Sequence, residues 1–526
     1  MEAETAADNP RPWLLVWLAI SLLSLGLVPL FDLDEAIYAQ TAWEMLHGGD
    51  WLVPQANGIP FFEKPPLFYY LMDASFVLFG TDAFAARLPS LLFTLATAGL
   101  LLHAGRRLRG ADTGWLAALI FLSMLEVGVL AHAAILDAAL NFFLAATLIC
   151  WWLWCRHGRR RDLWLAAAAM GAAVGVKGPV GVVVPLAVIG LELLISGRLT
   201  ATLRAIHWPP VVLLFLLTAT PWYLLILWRN GPGFLWEFLM VHNLGRALHP
   251  MQGHGGRWFY YLPVVAVSVL PWIALLPKMA RGLGAGAEAA RSQRFLLLWT
   301  VVTVVIFSLA RTKLPHYISS IYPAVALSIA LHIGPRLRRL EAAATLLLLL
   351  PLVLLIGLLP WLWPWLTGLA HHPRAIAALA QPIAPNWHSA VAALPLAVAL
   401  GWLWRRRTPV ALAAVGIMLQ TAVVFGLLPT ASAVMQGPKL AIAGIIRQLP
   451  QEIPVFSYDL NAPSISFYSD RRYHILLDRT GRERLAAMQP PFALVLRSEA
   501  RSALPKRLRR LAPVIDRGGY LLLLVR

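Results

Sequence analysis

The sequence predicts an α-helical polytopic membrane protein of about thirteen transmembrane helices, followed by a small C-terminal α/β domain. Three observations predict it. Of 526 residues, 59% are apolar and only 13% are charged, where a soluble globular chain carries about a quarter charged residues. The apolar residues fall in runs of roughly 20, the length a helix needs to cross a bilayer core. The basic residues gather in short loops between alternate runs. Such a composition excludes a disordered chain, which needs low hydrophobicity. It also excludes an ordinary soluble enzyme, whose surface could not hide this much apolar residue. A net charge of +18, from 44 Lys+Arg against 26 Asp+Glu, would suit a nucleic-acid binder. The placement of the arginines between apolar runs excludes that reading.

The runs lie at about 13–31, 87–105, 113–131, 138–155, 163–178, 179–196, 208–228, 258–277, 295–310, 315–333, 342–364, 389–404 and 409–428. The first is a retained helix and not a cleavable signal, because its flank holds Glu2, Glu4 and Asp8 against a single Arg where a signal needs a basic start. Residues 66–80 are apolar but short and follow Pro65-Pro66, which predicts a helix lying at the interface. With the N-terminus inside, the inner loops carry nineteen basic residues, from Arg106 through Arg407, as the positive-inside rule requires. The C-terminus then lies outside. Cys150 and Cys155 are five apart on one helix, so neither a disulfide nor a metal site is expected of them.

Residues 437–526 change character. Strand-like runs at 454–458, 474–477, 492–496 and 520–525 alternate with helical stretches such as 438–448, the pattern of an α/β domain. It carries fifteen basic and seven acidic residues. That excess suits a face turned to an anionic leaflet as well as it suits a solvated surface.

The loop after the first run concentrates acid in a chain that otherwise avoids it. Residues 32–66 hold Asp32, Asp34, Glu35, Glu44, Asp50 and Glu63. Helical spacing runs from Asp34 to Met45, so Asp34 and Glu35 sit where free N–H groups and the helix dipole favour carboxylates. A cap explains one of the two. Glu63-Lys64-Pro65-Pro66 puts a charge pair just before a rigid apolar entry, where a Lys can meet a lipid phosphate or simply snorkel.

LDEAIYAQTAWEMLHGGDWLVP, FFEKPPLFYYL and AFAARLPS resemble the polyprenyl-phosphate-sugar-dependent GT-C glycosyltransferases, and among them the lipid A aminoarabinose transferases, relatives of the protein O-mannosyltransferases. The likeness continues through ILDAAL at 135–140, VKGPVGVVVP at 176–185, VHNLGRAL at 241–248 and RTKLPHYISSIYPA at 311–324. It implies a GT-C fold, with a transmembrane domain over 1–430, periplasmic juxtamembrane helices within 32–80 and 230–257, and a periplasmic α/β domain over 437–526. It implies an inverting transferase in the bacterial inner membrane with its site facing the periplasm, using a polyprenyl-phosphate-linked sugar and no nucleotide cofactor. Lipid A or another envelope glycan would accept the sugar. Asp34 and Asp137 would be catalytic. Glu35, Glu63, Lys64, Lys177, Arg246, Lys313 and Tyr317 would bind substrate, and Glu63 with His242 would hold a divalent metal ion. The family reads Arg where this chain has Ile37, which leaves the sugar and acceptor open.

The chemistry required is displacement at the anomeric carbon with a lipid phosphate leaving. One carboxylate aligns or deprotonates the acceptor, and cations stabilise the departing phosphate. A protein O-mannosyltransferase is the alternative enzyme. A lipid-linked-sugar flippase would instead favour charges at the midplane and paired broken helices.

Overall fold

The computed structural model describes residues 9–32, 34–249, 255–281, 283, 287–368, 371, 376–377, 379 and 387–526. Among them, six helices are long and apolar enough to cross a membrane: Ala83–Leu108, Asp137–His157, Glu288–Leu309, Arg339–Trp365, Trp387–Arg406 and Pro409–Met435. Three further spans are bent pairs: Ala111–Leu122 with Leu125–Ala131 at 72°, Leu199–Ala205 with Trp208–Ala219 at 83°, and Tyr261–Ser268 with Trp272–Ala280 at 105°. Shorter apolar helices cover Arg11–Ser24, Leu67–Phe79 and Val180–Ile195. The chain is a multi-pass membrane protein. Leu23, Leu217, Trp228, Leu347 and Val398 stand exposed on its helices, a placement that lipid makes favourable and water would not.

Three of the predicted runs are bent helix pairs. Pro271 and the Pro209-Pro210 pair lie at two of the bends, and a proline supplies no N–H to carry a helix onward. Close approach of backbones replaces bulk elsewhere. A Cβ on Gly105 would lie 2.6 Å from the Gly114 Cα, and one on Gly114 2.3 Å from the Leu102 carbonyl oxygen. Helices Ala83–Leu108 and Ala111–Leu122 therefore meet through glycine, as membrane helices commonly do.

The helix Asp34–Gly48 follows the apolar helix Arg11–Ser24 and leads into a small hairpin, β1 (Gln55–Ala56) and β2 (Ile59–Pro60). Asn57 and Gly58 form its turn at φ 54° and 75°, the left-handed pair that such a two-residue turn requires. The Glu44 carboxylate accepts from both turn amides, at 2.5 and 2.9 Å.

Residues from Val455 onward build a five-stranded sheet in the order β4-β3-β5-β7-β6. Its strands are β3 (Val455–Tyr458), β4 (His474–Leu476), β5 (Phe492–Arg497), β6 (Ile515–Arg517) and β7 (Tyr520–Val525). β3 runs parallel to β4 and β5, while β7 is antiparallel to β5 and β6. Val455, Val495 and Leu522 pack with Ile442 and Ile465 on one face, and Leu494, Leu521 and Leu523 with Leu485 and Leu504 on the other. Each predicted strand is present. β6, carrying Asp516 and Arg517 at the sheet edge, had no apolar run to announce it.

This sheet is tied to the acidic loop. Lys439 pairs with Asp32 at 2.6 Å, and the Ser464 amide donates to the same carboxylate at 2.9 Å. Arg472 pairs with Glu44 at 3.0 Å, and the Leu30 amide donates to the Tyr468 hydroxyl.

Candidate active site

Five of the six loop carboxylates hold the fold together. Asp32 and Glu44 bind the C-terminal residues as above. Asp50 takes both Arg229 nitrogens at 2.9 and 3.0 Å and caps the amides of Leu52 and Val53. Glu63 pairs with Arg246. Glu35 is buried, with Arg87 Nε on one oxygen at 2.8 Å and Nη2 on the other at 2.9 Å. The amides of Phe31 and Ala134 also donate to it. That leaves Asp34. Its half-buried carboxylate has no hydrogen bond or ion pair among the described residues.

Asp34 lines a cavity with Tyr38, Lys64, Asp137, Lys177, Arg246, His316 and Tyr317. The charged groups stand mostly at element ends. Asp137 opens the helix Asp137–His157, where the dipole favours an anion, and Lys177 closes Arg160–Lys177, where it favours a cation. These two form an ion pair at 2.6 Å. His316 Nε2 lies 3.8 Å from the other Asp137 oxygen. Lys177 Nζ also sits 4.7 Å from the centre of the Tyr317 ring, and Arg246 reaches the Tyr317 hydroxyl at 3.5 Å.

With Asp137 paired to Lys177 and Glu63 to Arg246, one anion and one cation of this cavity remain without an ion pair among the described residues. They are Asp34 and Lys64. Among the described residues, Lys64 Nζ bonds only the carbonyl of its neighbour Glu63, at 3.1 Å. Burial, with Arg246 adding to it and Glu63 opposing it, pushes the Lys64 ammonium down to about 7. Burial, then the Asp34 charge, holds the Tyr38 hydroxyl well above its ordinary range, so it stays a hydrogen-bond donor. A cation that lacks a counter-ion in a polar cavity is suited to receive an external anion.

Comparison with known proteins bears on the fold that carries this cavity. Residues 15–235 match the family described as dolichyl-phosphate-mannose-protein mannosyltransferase. Over 362 residues the chain is 30% identical to an undecaprenyl phosphate-alpha-4-amino-4-deoxy-L-arabinose arabinosyl transferase of Erwinia tasmaniensis, covering 67% of this chain and 64% of that relative. It is 34% identical over 305 residues to the protein of that name in Yersinia enterocolitica, covering 57% and 54%. The chain thus matches less than two thirds of the length of these relatives. ArnT of Cupriavidus metallidurans, solved bound to undecaprenyl phosphate, superposes with a TM-score of 0.83 over 98% of this chain and 97% of that one, at 23% identity. The chain has the GT-C fold of ArnT.

Within this GT-C fold, six residues expected from the sequence meet in one cavity: Asp34, Asp137, Lys64, Lys177, Arg246 and Tyr317. Glu63 joins them through Arg246. Two others have different tasks. Glu35, expected to bind substrate, is the buried partner of Arg87. Lys313, also expected there, turns its ammonium onto the carbonyls of Ser308 at 2.6 Å and Ala310 at 2.5 Å. Those carbonyls end the helix Ala287–Leu309 and lack helical partners. Lys313→Met is therefore expected to lower stability by roughly 1–3 kcal/mol and to leave donor KM unchanged, as thermal unfolding and a donor titration would show.

His242 Nε2 lies 3.6 Å from Glu237, within an unusually wide helical stretch, Glu237–Gly245. Its expected metal partner Glu63 already holds a guanidinium, and among the described residues no three His, Cys, Asp or Glu side chains could share an ion. The pair does not fit a divalent site, which needs more ligands than two. His316 and Tyr38 were missed by sequence reasoning. Their signals were present, since His316 follows Lys313-Leu314-Pro315 in the same motif and Tyr38 lies one helical turn after Asp34.

Proposed function

We propose that this chain is an inverting glycosyltransferase that moves a sugar from a polyprenyl-phosphate donor to an envelope acceptor such as lipid A, on the periplasmic face of the bacterial inner membrane. The observation that carries this reading is the cavity in which Asp34, the one loop carboxylate left without a partner among the described residues, lies with Lys64, Lys177 and Arg246. The arabinosyl transferases it resembles are named for an undecaprenyl-phosphate-linked aminoarabinose, which supports the donor class.

In this mechanism the donor phosphate lies against Lys64 and Arg246, with Tyr317 beside them. The bond from the anomeric carbon to the phosphate oxygen breaks as the acceptor oxygen bonds to the opposite face of that carbon. The leaving phosphate keeps the bonding electrons, and the cations stabilise them. An acceptor hydroxyl gives its proton to Asp34. A phosphate acceptor is already anionic, and Asp34 then positions it. Asp137, anchored by Lys177, orients the sugar.

Purified protein given radiolabelled undecaprenyl-phosphate aminoarabinose and lipid A is expected to yield labelled lipid A. Absence of transfer from every polyprenyl-phosphate sugar tried would overturn the reading. The match of residues 15–235 to the mannosyltransferase family favours a second acceptor, a protein hydroxyl, which the same assay tests with polyprenyl-phosphate mannose and a Ser/Thr peptide.

Lys64 makes the reaction sensitive to pH. Only the ammonium attracts phosphate, and with its pKa lowered to about 7 the group is charged below neutrality and increasingly neutral above it. Donor KM is expected to rise with pH above about 7, by up to roughly tenfold per unit. Lys64→Arg, charged throughout this range, is expected to flatten the profile. A rise that persists unchanged in Lys64→Arg would assign it to another group.

A further inference from the structure

Two broken spans cross near the candidate site. The first breaks between Leu122 and Leu125, the second between Ser268 and Trp272. They are joined there, since the Leu125 amide donates to the Leu270 carbonyl at 3.0 Å and Trp272 Nε1 to the Ser123 hydroxyl at 3.0 Å. Broken helices at membrane depth are tolerated where they are buried in protein or line a cavity. Here a groove of about 530 Å³ opens beside the breaks. Its walls are apolar at Phe259, Val264 and Val267, but it also holds Glu126 at one break, Ser268 at the other, and Arg257.

The candidate mechanism uses none of these groups. Glu126 sits in the first turn of the helix Leu125–Ala131. An ionisable side chain in an otherwise apolar span is costly and points to function. Pro315 closes one end of the groove, and the next residue, His316, faces Asp137 at 3.8 Å. The groove therefore adjoins the site.

We propose that this groove seats the acceptor, an amphipathic glycolipid. Its acyl chain lies on Phe259, Val264 and Val267. A sugar hydroxyl donates to Glu126, and the anionic headgroup meets the exposed Arg257. Charge points to the occupant, because Arg257 complements a phosphate and Glu126 accepts from a sugar hydroxyl, while the donor's own phosphate is already placed at Lys64 and Arg246. The assignment rests on the transferase reading and deepens it.

The test separates the two. Binding of diphosphorylated hexa-acyl lipid A and of undecaprenyl phosphate is measured without turnover, in nanodiscs, for the wild type and for Glu126→Leu, Arg257→Ala and Val267→Trp. The last fills the groove without touching its charges. Lipid A affinity is expected to fall roughly 10- to 100-fold in the charge variants, and acceptor KM to rise alike, with undecaprenyl phosphate binding unchanged. Glu126→Gln, which keeps an accepting oxygen, is expected to recover part of the loss. Variants that bind lipid A as the wild type does would overturn the groove assignment. Variants that lose undecaprenyl phosphate instead would make it the donor's path and overturn it too. A wild type that binds lipid A through these residues but transfers no sugar would leave the groove standing and refute the transferase reading.

Discussion

Asp34→Asn is expected to lower the rate of sugar transfer to a hydroxyl acceptor by about 10²- to 10⁴-fold, the usual contribution of a positioned general base. The substitution isolates chemistry from folding. Asn matches Asp in size and is equally at home at a helix start, and the Asp34 carboxylate makes no ion pair that its loss would break among the described residues. If Asp34 served only as a cap, stability and rate would both survive the change. Single-turnover transfer of label from donor to acceptor reads the chemical step directly, and undiminished transfer would remove Asp34 from it. Comparing acceptors sharpens the result. A phosphate acceptor carries no proton to remove at neutral pH, so the loss there is expected to shrink to that of a positioning group. A deficit of equal size on both acceptors would mean that Asp34 acts on the sugar or on its position, and not as a base. Donor KM is expected to hold in either case, because the phosphate lies against Lys64 and Arg246.

The same loop shows how far a sequence can be read. Six carboxylates in a chain with 26 acids signal an unusual segment, and the signal is sound. What it cannot do is divide the six. Asp34 and Glu35 are adjacent and equally placed for a helix cap, and their roles diverge because of residues far away in the chain. Glu35 meets Arg87, 52 positions later, and the Ala134 amide, 99 positions later. Asp32 meets Lys439 in the C-terminal part. The apolar runs were legible because membrane crossing is a local property of about 20 residues. Their bends were not, because the breaks at 122–125 and 268–272 are stabilised against one another. Lys313 was misjudged for a different reason. Its partners are only three to five residues away, but a lysine reads as a helix-end clamp only once the last helical carbonyls are located. Glu126 stood visible in the run 113–131, but the groove did not, because it forms only where that run's break meets the break at 268–272.

Arg87→Ala is expected to be among the most damaging single changes in the chain, destabilising it by roughly 3–5 kcal/mol. Arg87 is 2% exposed, and every nitrogen of its guanidinium is engaged. Nε and Nη2 hold the two Glu35 oxygens, and Nη1 and Nη2 also donate to the carbonyls of Leu25, Val28 and Pro29, at 2.7 to 3.1 Å. Those carbonyls follow the helix Arg11–Ser24, so one side chain gathers the exit of that helix and the start of the helix that presents Asp34. Truncation leaves Glu35 buried without its counter-ion and three carbonyls without a donor. Arg87→Lys is expected to recover little, because a compact ammonium cannot reproduce a planar fork that bridges five acceptors. Glu35→Gln, which keeps the shape and removes the charge, is expected to cost less than Arg87→Ala, since the lost partner is then neutral. Thermal unfolding of the three variants in detergent would give this ranking. The coupling between the two sites should also appear in activity, because Glu35 is bonded directly after Asp34. Folded Arg87→Lys protein is expected to bind undecaprenyl phosphate normally yet turn over slowly. If Arg87→Ala unfolded at the wild-type temperature, the pair would not be what holds the Asp34 helix to the end of the helix Arg11–Ser24.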